Sequence, residues 1–144
     1  MPHGYRLEPI EAHGASRRGW RIVIDHVGVN VSDYARAKAF YERALAPLGI
    51  TVQMELGTAC GFGVEAKPFS WIRVQEPVAP VHVAFTCEDR SSVERFHEAA
   101  LAAGGVDNGG PGLRPHYHPT YFAAFVRDPD SNNVEAVCHR PPAE

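Results

Sequence analysis

The stretch Val81-His82-Val83-Ala84-Phe85-Thr86-Cys87-Glu88-Asp89 decides how this chain is read, because the chain uses it twice. The earlier copy, 56 residues upstream, is Asp25-His26-Val27-Gly28-Val29-Asn30-Val31-Ser32-Asp33. Each copy sets a histidine in an apolar run and ends at an aspartate where a helical pattern begins. The match continues through Phe40/Phe96, Glu42/Glu98, Ala44-Leu45-Ala46/Ala100-Leu101-Ala102 and Gly49/Gly105, giving nine identities in 25 ungapped positions. Self-similarity at a fixed spacing means that one supersecondary unit is used twice. Two copies at this period are too few and too long for a solenoid, so a duplicated α+β module is expected.

The elements follow in the same order in both halves. Ile22 to Val31 alternates and is rich in Val and Ile, which predicts a strand with His26, Gly28 and Asn30 on one face. Ser32-Asp33 caps a helix running to about Leu48, with Ala37, Phe40, Tyr41, Ala44 and Leu45 on its apolar stripe and Gly49 at its end. Three short strands follow, near 51–56, 61–65 and 70–75, punctuated by Gly57, Lys67-Pro68 and Pro77. The second half repeats the order: a strand near 81–87 with His82, Ala84 and Thr86 on one face, and a helix near 91–103 stopped by Gly104-Gly105. A glycine-rich loop over 107–115 then leads to strands near 121–127 and 132–139 around the turn Asp128-Pro129-Asp130-Ser131. The pattern is βαβββ twice. It predicts modules 22–76 and 80–139 of a single domain over 22–139, an N-terminal extension over 1–21 and a tail over 140–144.

The totals exclude several classes. With 144 residues, 44% hydrophobic and 22% charged, the chain is an ordinary globular one, and a net charge of −3 gives no reason to expect a nucleic acid or an anionic membrane as partner. No apolar run approaches the roughly 18 residues that span a bilayer, and the N-terminus shows no signal-peptide core. Cys60, Cys87 and Cys138 are odd in number and lack CxxC spacing, so they are read as reduced thiols of a cytoplasmic protein. Eight histidines are the informative excess.

A βαβββ unit leaves one sheet face bare once its helix covers the other. Two such sheets curling around a cleft would set the two first strands face to face, with His26 and His82 pointing inward beside the small Gly28 and Ala84. One histidine on a strand is ordinarily a hydrogen-bonded structural residue; two at equivalent repeat positions suggest a ligand pair. Glu135 is the third candidate, since an ionised carboxylate in the apolar run Asn133-Val134-Glu135-Ala136-Val137-Cys138 is costly unless it meets a cation. A type I turn followed by a bulge at 128–131 would set Phe125 opposite Glu135, with Tyr121 and Ala123 on the same face. Two imidazoles and a carboxylate suit one divalent ion among Mn, Fe, Ni, Co and Zn.

These residues resemble the vicinal oxygen chelate superfamily, the glyoxalase / bleomycin-resistance / extradiol dioxygenase group, over about residues 22–139. The resemblance rests on Ile24-Asp25-His26-Val27, Val81-His82-Val83-Ala84-Phe85 and Phe125 through Glu135, where Ser131 replaces the glycine of the usual DPDGN turn. It implies a curled mixed sheet around a cleft, metal ligation by His26, His82 and Glu135, and homodimerisation, the cleft lying within one chain or between two. The fourth family ligand position falls near Ile72, which cannot coordinate, so glyoxalase I activity proper is not implied. Phe125 stands where the extradiol signature carries its tyrosine.

The expectation is a divalent-metal-dependent enzyme of lyase, isomerase or transferase type, acting on a small molecule chelated through two adjacent oxygens. An extradiol-type dioxygenase and a metal-free antibiotic-binding protein are the alternatives. His116, His118 and Tyr121, from the dense His116-Tyr117-His118-Pro119-Thr120-Tyr121 segment, are the candidate proton carriers. Asn30, Thr86 and Phe125 are the expected substrate contacts. Trp71 is read as core or interface, and Gly109-Gly110-Pro111-Gly112 as flexible rather than phosphate-binding.

Overall fold

The computed structural model of the protein describes residues 24–142; the expected extension over 1–21 lies outside them. The first module runs β1 (Val27–Val31), α1 (Tyr34–Leu45), a 3-10 turn (Ala46–Leu48), β2 (Thr51–Leu56), β3 (Ala59–Val64) and β4 (Lys67–Val74). The second runs β5 (His82–Thr86), α2 (Arg90–Ala102), the two-residue strands β6 (Val106–Asp107) and β7 (Gly112–Leu113), then β8 (Phe122–Arg127) and β9 (Asn133–Cys138). The fold is α+β with two βαβββ-like modules, as the duplication predicts, the second carrying the short strands β6 and β7 at and within the stretch expected to be loop. The differences are local. Pro47 tightens the end of the first helix into the 3-10 turn. Pro68 lies inside β4 rather than ahead of it, at a register shift between Phe62 and Gly63 and before the pairing with β1 begins at Ser70.

Both helices start as the sequence predicts. Asp33 accepts the amide of Arg36, and Asp89 accepts the amide of Ser92 at 2.7 Å. The apolar stripe of α1 is the expected one, Ala37, Phe40, Tyr41, Ala44 and Leu45; α2 buries Val93, Phe96 and Ala100. These stripes fill one core with the even-parity residues of β8 and β9, Ala124, Val126, Val134, Ala136 and Cys138, and with Val29, Val31, Phe62 and Ile72. Gathering these side chains out of water is the main stabilisation of the fold. The three cysteines are free thiols, and burial pushes the Cys87 thiol up to about 12.

Each module has its own mixed sheet. The first has order β1-β4-β3-β2 and the second β5-β9-β8-β6, with β7 also on β8; β1 and β4 are parallel, as are β5 and β9. The modules meet through α1 and α2. The turn between β8 and β9 clasps α1: Tyr41 Oη donates to Asp128 Oδ2 at 2.7 Å, Arg36 Nη2 to Pro129 O at 3.0 Å, and the Ser32 amide to Asp130 Oδ2 at 3.1 Å. This arrangement corrects one expectation. The two sheets are separate, and β1 and β5 do not face one another across a cleft inside the chain, because the helices are what the modules bury against each other. Among the described residues no helix is long and apolar enough to cross a membrane.

Candidate functional site

On the open face of the second sheet, strand register decides the neighbours. Ala84 pairs with Glu135, and Glu135 with Phe125, as the bulged turn predicts. Ser131, in the left-handed region at φ 67°, ends that turn, and its amide donates to Asp128 O at 3.0 Å. Glu135 is 1% exposed. Its Oε2 lies 2.7 Å from His82 Nε2, and its Oε1 accepts a short hydrogen bond from Tyr121 Oη. The imidazole of His82 is about half exposed, so the pair forms a buried carboxylate capped by a histidine that solvent reaches. Burial, and then the hydrogen bond to Glu135, raises the Tyr121 phenol well above its usual range, so this hydroxyl keeps its proton and donates.

Beside the pair is a hollow of 320 Å³ lined by Asn108, Gly109, Arg114, His116, Tyr117, Phe125 and Asn133. Phe125 joins the two, its ring centroid 6.2 Å from that of His82. His116 stacks on Tyr117 at 4.1 Å on the rim. His118 is not in this lining: its Nδ1 accepts the Thr120 amide at 3.3 Å, and its ring turns towards His139. Thr86 is exposed on the same face as His82, two residues along β5 from Ala84, the partner of Glu135.

The first sheet carries a second hollow, of 420 Å³, lined by His26, Gly28, Leu56, Ala59, Trp71 and Arg73. His26 Nδ1 lies 2.8 Å from the exposed Asp25, and Lys67 and then His26 hold the Asp25 carboxyl below its usual range. Asn30 accepts from Arg73 Nε at 3.2 Å. Trp71, expected in the core or at an interface, is not in the core. Its half-buried indole lies over Gly61, where a Cβ would come within 2.8 Å of the ring. Ile72 points the other way, into the core, so Trp71 and Arg73 flank the position of the fourth family ligand and no acid lines this hollow.

The two hollows share no residue, and no three His, Cys, Asp or Glu side chains among the described residues group to hold a metal. The structure thus brings together His82, Glu135, Tyr121 and Phe125. It leaves Asn30 on β1 of the other sheet and His26 just ahead of that strand, which begins at Val27 rather than Ile22, so the three expected ligands do not assemble within one chain.

The sequence model of the Glyoxalase/Bleomycin resistance protein/Dioxygenase superfamily matches residues 23–136. The chain belongs to this superfamily. Solved structures agree on the glyoxalase-like fold. A glyoxalase/bleomycin resistance protein from Albidiferax ferrireducens T118 is 27% identical over 81% of this chain and 98% of its own, with a TM-score of 0.69. A lactoylglutathione lyase from Agrobacterium tumefaciens is 17% identical over 82% and 94%, with a TM-score of 0.62. A glyoxalase-related enzyme from Fulvimarina pelagi is 16% identical over 82% and 88%, with a TM-score of 0.64. No curated protein matches the chain.

For a glyoxalase/bleomycin-resistance superfamily member, the site is divided in an informative way. The second module holds an imidazole and a buried carboxylate in contact; the first holds an exposed imidazole whose carboxylate neighbour, Asp25, is itself exposed. Sequence reasoning missed Arg114, Asn108 and Asn133 around Phe125, and Arg73 beside Trp71. Arg114 follows the glycine-rich segment, and Asn133 lies two residues before Glu135 and so on its face. Strand parity was the available signal for Asn133.

Proposed function

We propose that this protein is a homodimeric, divalent-metal-dependent enzyme acting on a small molecule through two adjacent oxygens. The observation that carries the reading is Glu135: a carboxylate withdrawn from water, with His82 on one oxygen and the Tyr121 hydroxyl on the other. Burying a carboxylate is costly, and the arrangement persists only where its charge is met. Imidazole and carboxylate donors fit a divalent ion, but one chain supplies two donors where such ions take three or more from protein. A second copy, laying its first sheet over this face, supplies His26 as the third. The two open faces, each with its own hollow and histidine, support that pairing. When bound, the ion supplies Lewis-acid polarisation of the substrate's paired oxygens.

The chain's own residues then have distinct tasks. Tyr121 orients Glu135 by donating to Oε1. Phe125 and Thr86 shape the face around His82, and Asn30 of the facing copy closes it. His116, on the rim of the hollow, exchanges a proton with the substrate through its imidazole nitrogen. His118 is held by Thr120 and is assigned no proton transfer. A lyase or isomerase step that passes through a stabilised oxyanion suits this set. The Phe125 ring, opposite Glu135 where the extradiol signature has a tyrosine, weighs against ring cleavage. A second reading, metal-free sequestration of a small molecule, is supported by the way His82 and Glu135 satisfy one another.

Elemental analysis and metal titration of gently purified protein separate the two readings. The enzyme reading expects one ion per chain, lost in Glu135→Gln and in His82→Ala. Mixing His26→Ala with His82→Ala chains would restore binding in mixed dimers at half that stoichiometry, since one of the two shared sites is then intact. A protein that takes up no divalent ion leaves the sequestration reading alone.

A further inference from the structure

Arg114 has no role in this account, yet its guanidinium is the most strongly charged group in the hollow beside His82. It is half-buried. Its Nη2 donates to Gly110 O at 2.8 Å, and its Cζ sits 5.4 Å from the Phe125 ring centroid, so the fork is held in place rather than swinging in solvent. The glycine segment builds this cradle. Gly109 has φ 141°, and a Cβ there would come 3.1 Å from Phe125 and 3.2 Å from Arg114 Nη2. Only a residue without a side chain lets the loop close down on both. The segment expected to be merely flexible is therefore the support of a cation.

Among the described residues no carboxylate answers that cation. Among the described residues no ion pair involves Arg114, and no acidic side chain lines the hollow. The rest of the lining also offers donors. Asn108 Nδ2 donates to Asn133 Oδ1 at 3.2 Å, which leaves the amide hydrogens of Asn133 for a ligand. His116 stands on the rim. A held guanidinium beside amide donors, with an aromatic wall and no acid, is the chemistry that accepts an oxyanion. Phe125 touches both Arg114 and His82, so a small molecule can span from the guanidinium to the His82–Glu135 pair along one ring.

We propose that Arg114 is the anion anchor of the substrate site, selecting a small molecule that carries a carboxylate or a phosph(on)ate in addition to its paired oxygens. The assignment rests on the reading of this face as the substrate site. The anion lies across the Arg114 fork, the apolar body lies along Phe125, and the oxygens to be chelated reach His82 and Glu135.

The test uses full-length protein stripped of metal with EDTA, so that it does not depend on metal binding. Benzoate, phenylphosphonate and the neutral isostere benzamide are titrated by calorimetry and by NMR against wild type, Arg114→Ala and Arg114→Lys. The expected result is that one or both anions bind wild type and that Arg114→Ala weakens them about tenfold or more. Arg114→Lys falls between, and carries the comparison if the alanine variant does not fold. The tighter of benzoate and phenylphosphonate identifies the anion class. Equal anion affinity in wild type and the variants, benzamide binding as tightly as benzoate, or no anion binding at all overturns the anchor. Arg114-dependent anion binding in a protein that takes up no metal would overturn the metal-enzyme reading and leave the anchor standing.

Discussion

Tyr41 Oη on α1 donates to Asp128 Oδ2, 87 residues away in the turn between β8 and β9, at 2.7 Å. Both residues are buried. Asp128 is otherwise saturated from within its own turn, by the amides of Asp130 and Asn132 and by Asn132 Nδ2, each at 2.8 Å. The tyrosine is thus the one side chain of the first module that reaches into this turn's carboxylate among the described residues. Burial and the neighbouring Asp128 raise its phenol well above the usual range, so it remains a donor at any working pH.

Tyr41→Phe removes that donor without changing the packing of the ring against Phe40 and Phe62. It is expected to cost about 1.5–3 kcal/mol, the range for a hydrogen bond to a charged group. Urea denaturation followed by circular dichroism measures this. A loss below about 0.5 kcal/mol would mean that this hydrogen bond does little to hold the modules together.

Asp89 caps α2, and hydrogen bonds from Ser92 and then Ser91 hold its carboxyl below the usual range. The folded-state value is the depressed one. The contribution of Asp89 is therefore full above the ordinary carboxylate value near ~3.9 and is lost as pH falls through the depressed value. Asp89→Ala is expected to cost about 1 kcal/mol at neutral pH. The difference from wild type should shrink in acid; a difference independent of pH down to full protonation would contradict the cap.

Ser131 adopts φ 67°, a region that disfavours a side chain. Ser131→Gly relieves this and is expected to stabilise the protein by about 0.5–1 kcal/mol, after the greater entropy of a glycine in the unfolded chain is counted. Thermal unfolding of the single variant would show a raised midpoint, and a lowered one would mean that the serine hydroxyl contributes more than the strain.

Tyr121 touches Glu135 and not the proposed ion, so its effect should be indirect. Tyr121→Phe is expected to weaken divalent-ion affinity about 10–100-fold, as loss of an orienting partner does, while Glu135→Gln abolishes uptake. Competition against a metallochromic indicator ranks the three proteins. Unchanged affinity in Tyr121→Phe would show that packing alone orients the carboxylate.

Sequence alone determined everything that depends on local period and parity. The repeat of His26-Val27 at His82-Val83 showed the duplication, and the apolar stripe of the first helix named the α1 residues that are buried. The composition of the 128–131 turn set Phe125 opposite Glu135, because in a strand a register fixes every face along it. It could not show which faces the modules bury against each other. That choice is made by α1 meeting α2 and by Tyr41 and Arg36 reaching the far turn, contacts between residues some ninety positions apart with no periodic signature. Nor could it show that Arg114 is held by Gly110 O and Phe125, since a loop's path depends on what it packs upon. The tertiary structure alone therefore decided that His26, at the start of β1, and the His82–Glu135 pair lie beside separate sheets: strand patterns say which side of a sheet a residue takes, and the rigid-body placement of two sheets is an energy of packing between them.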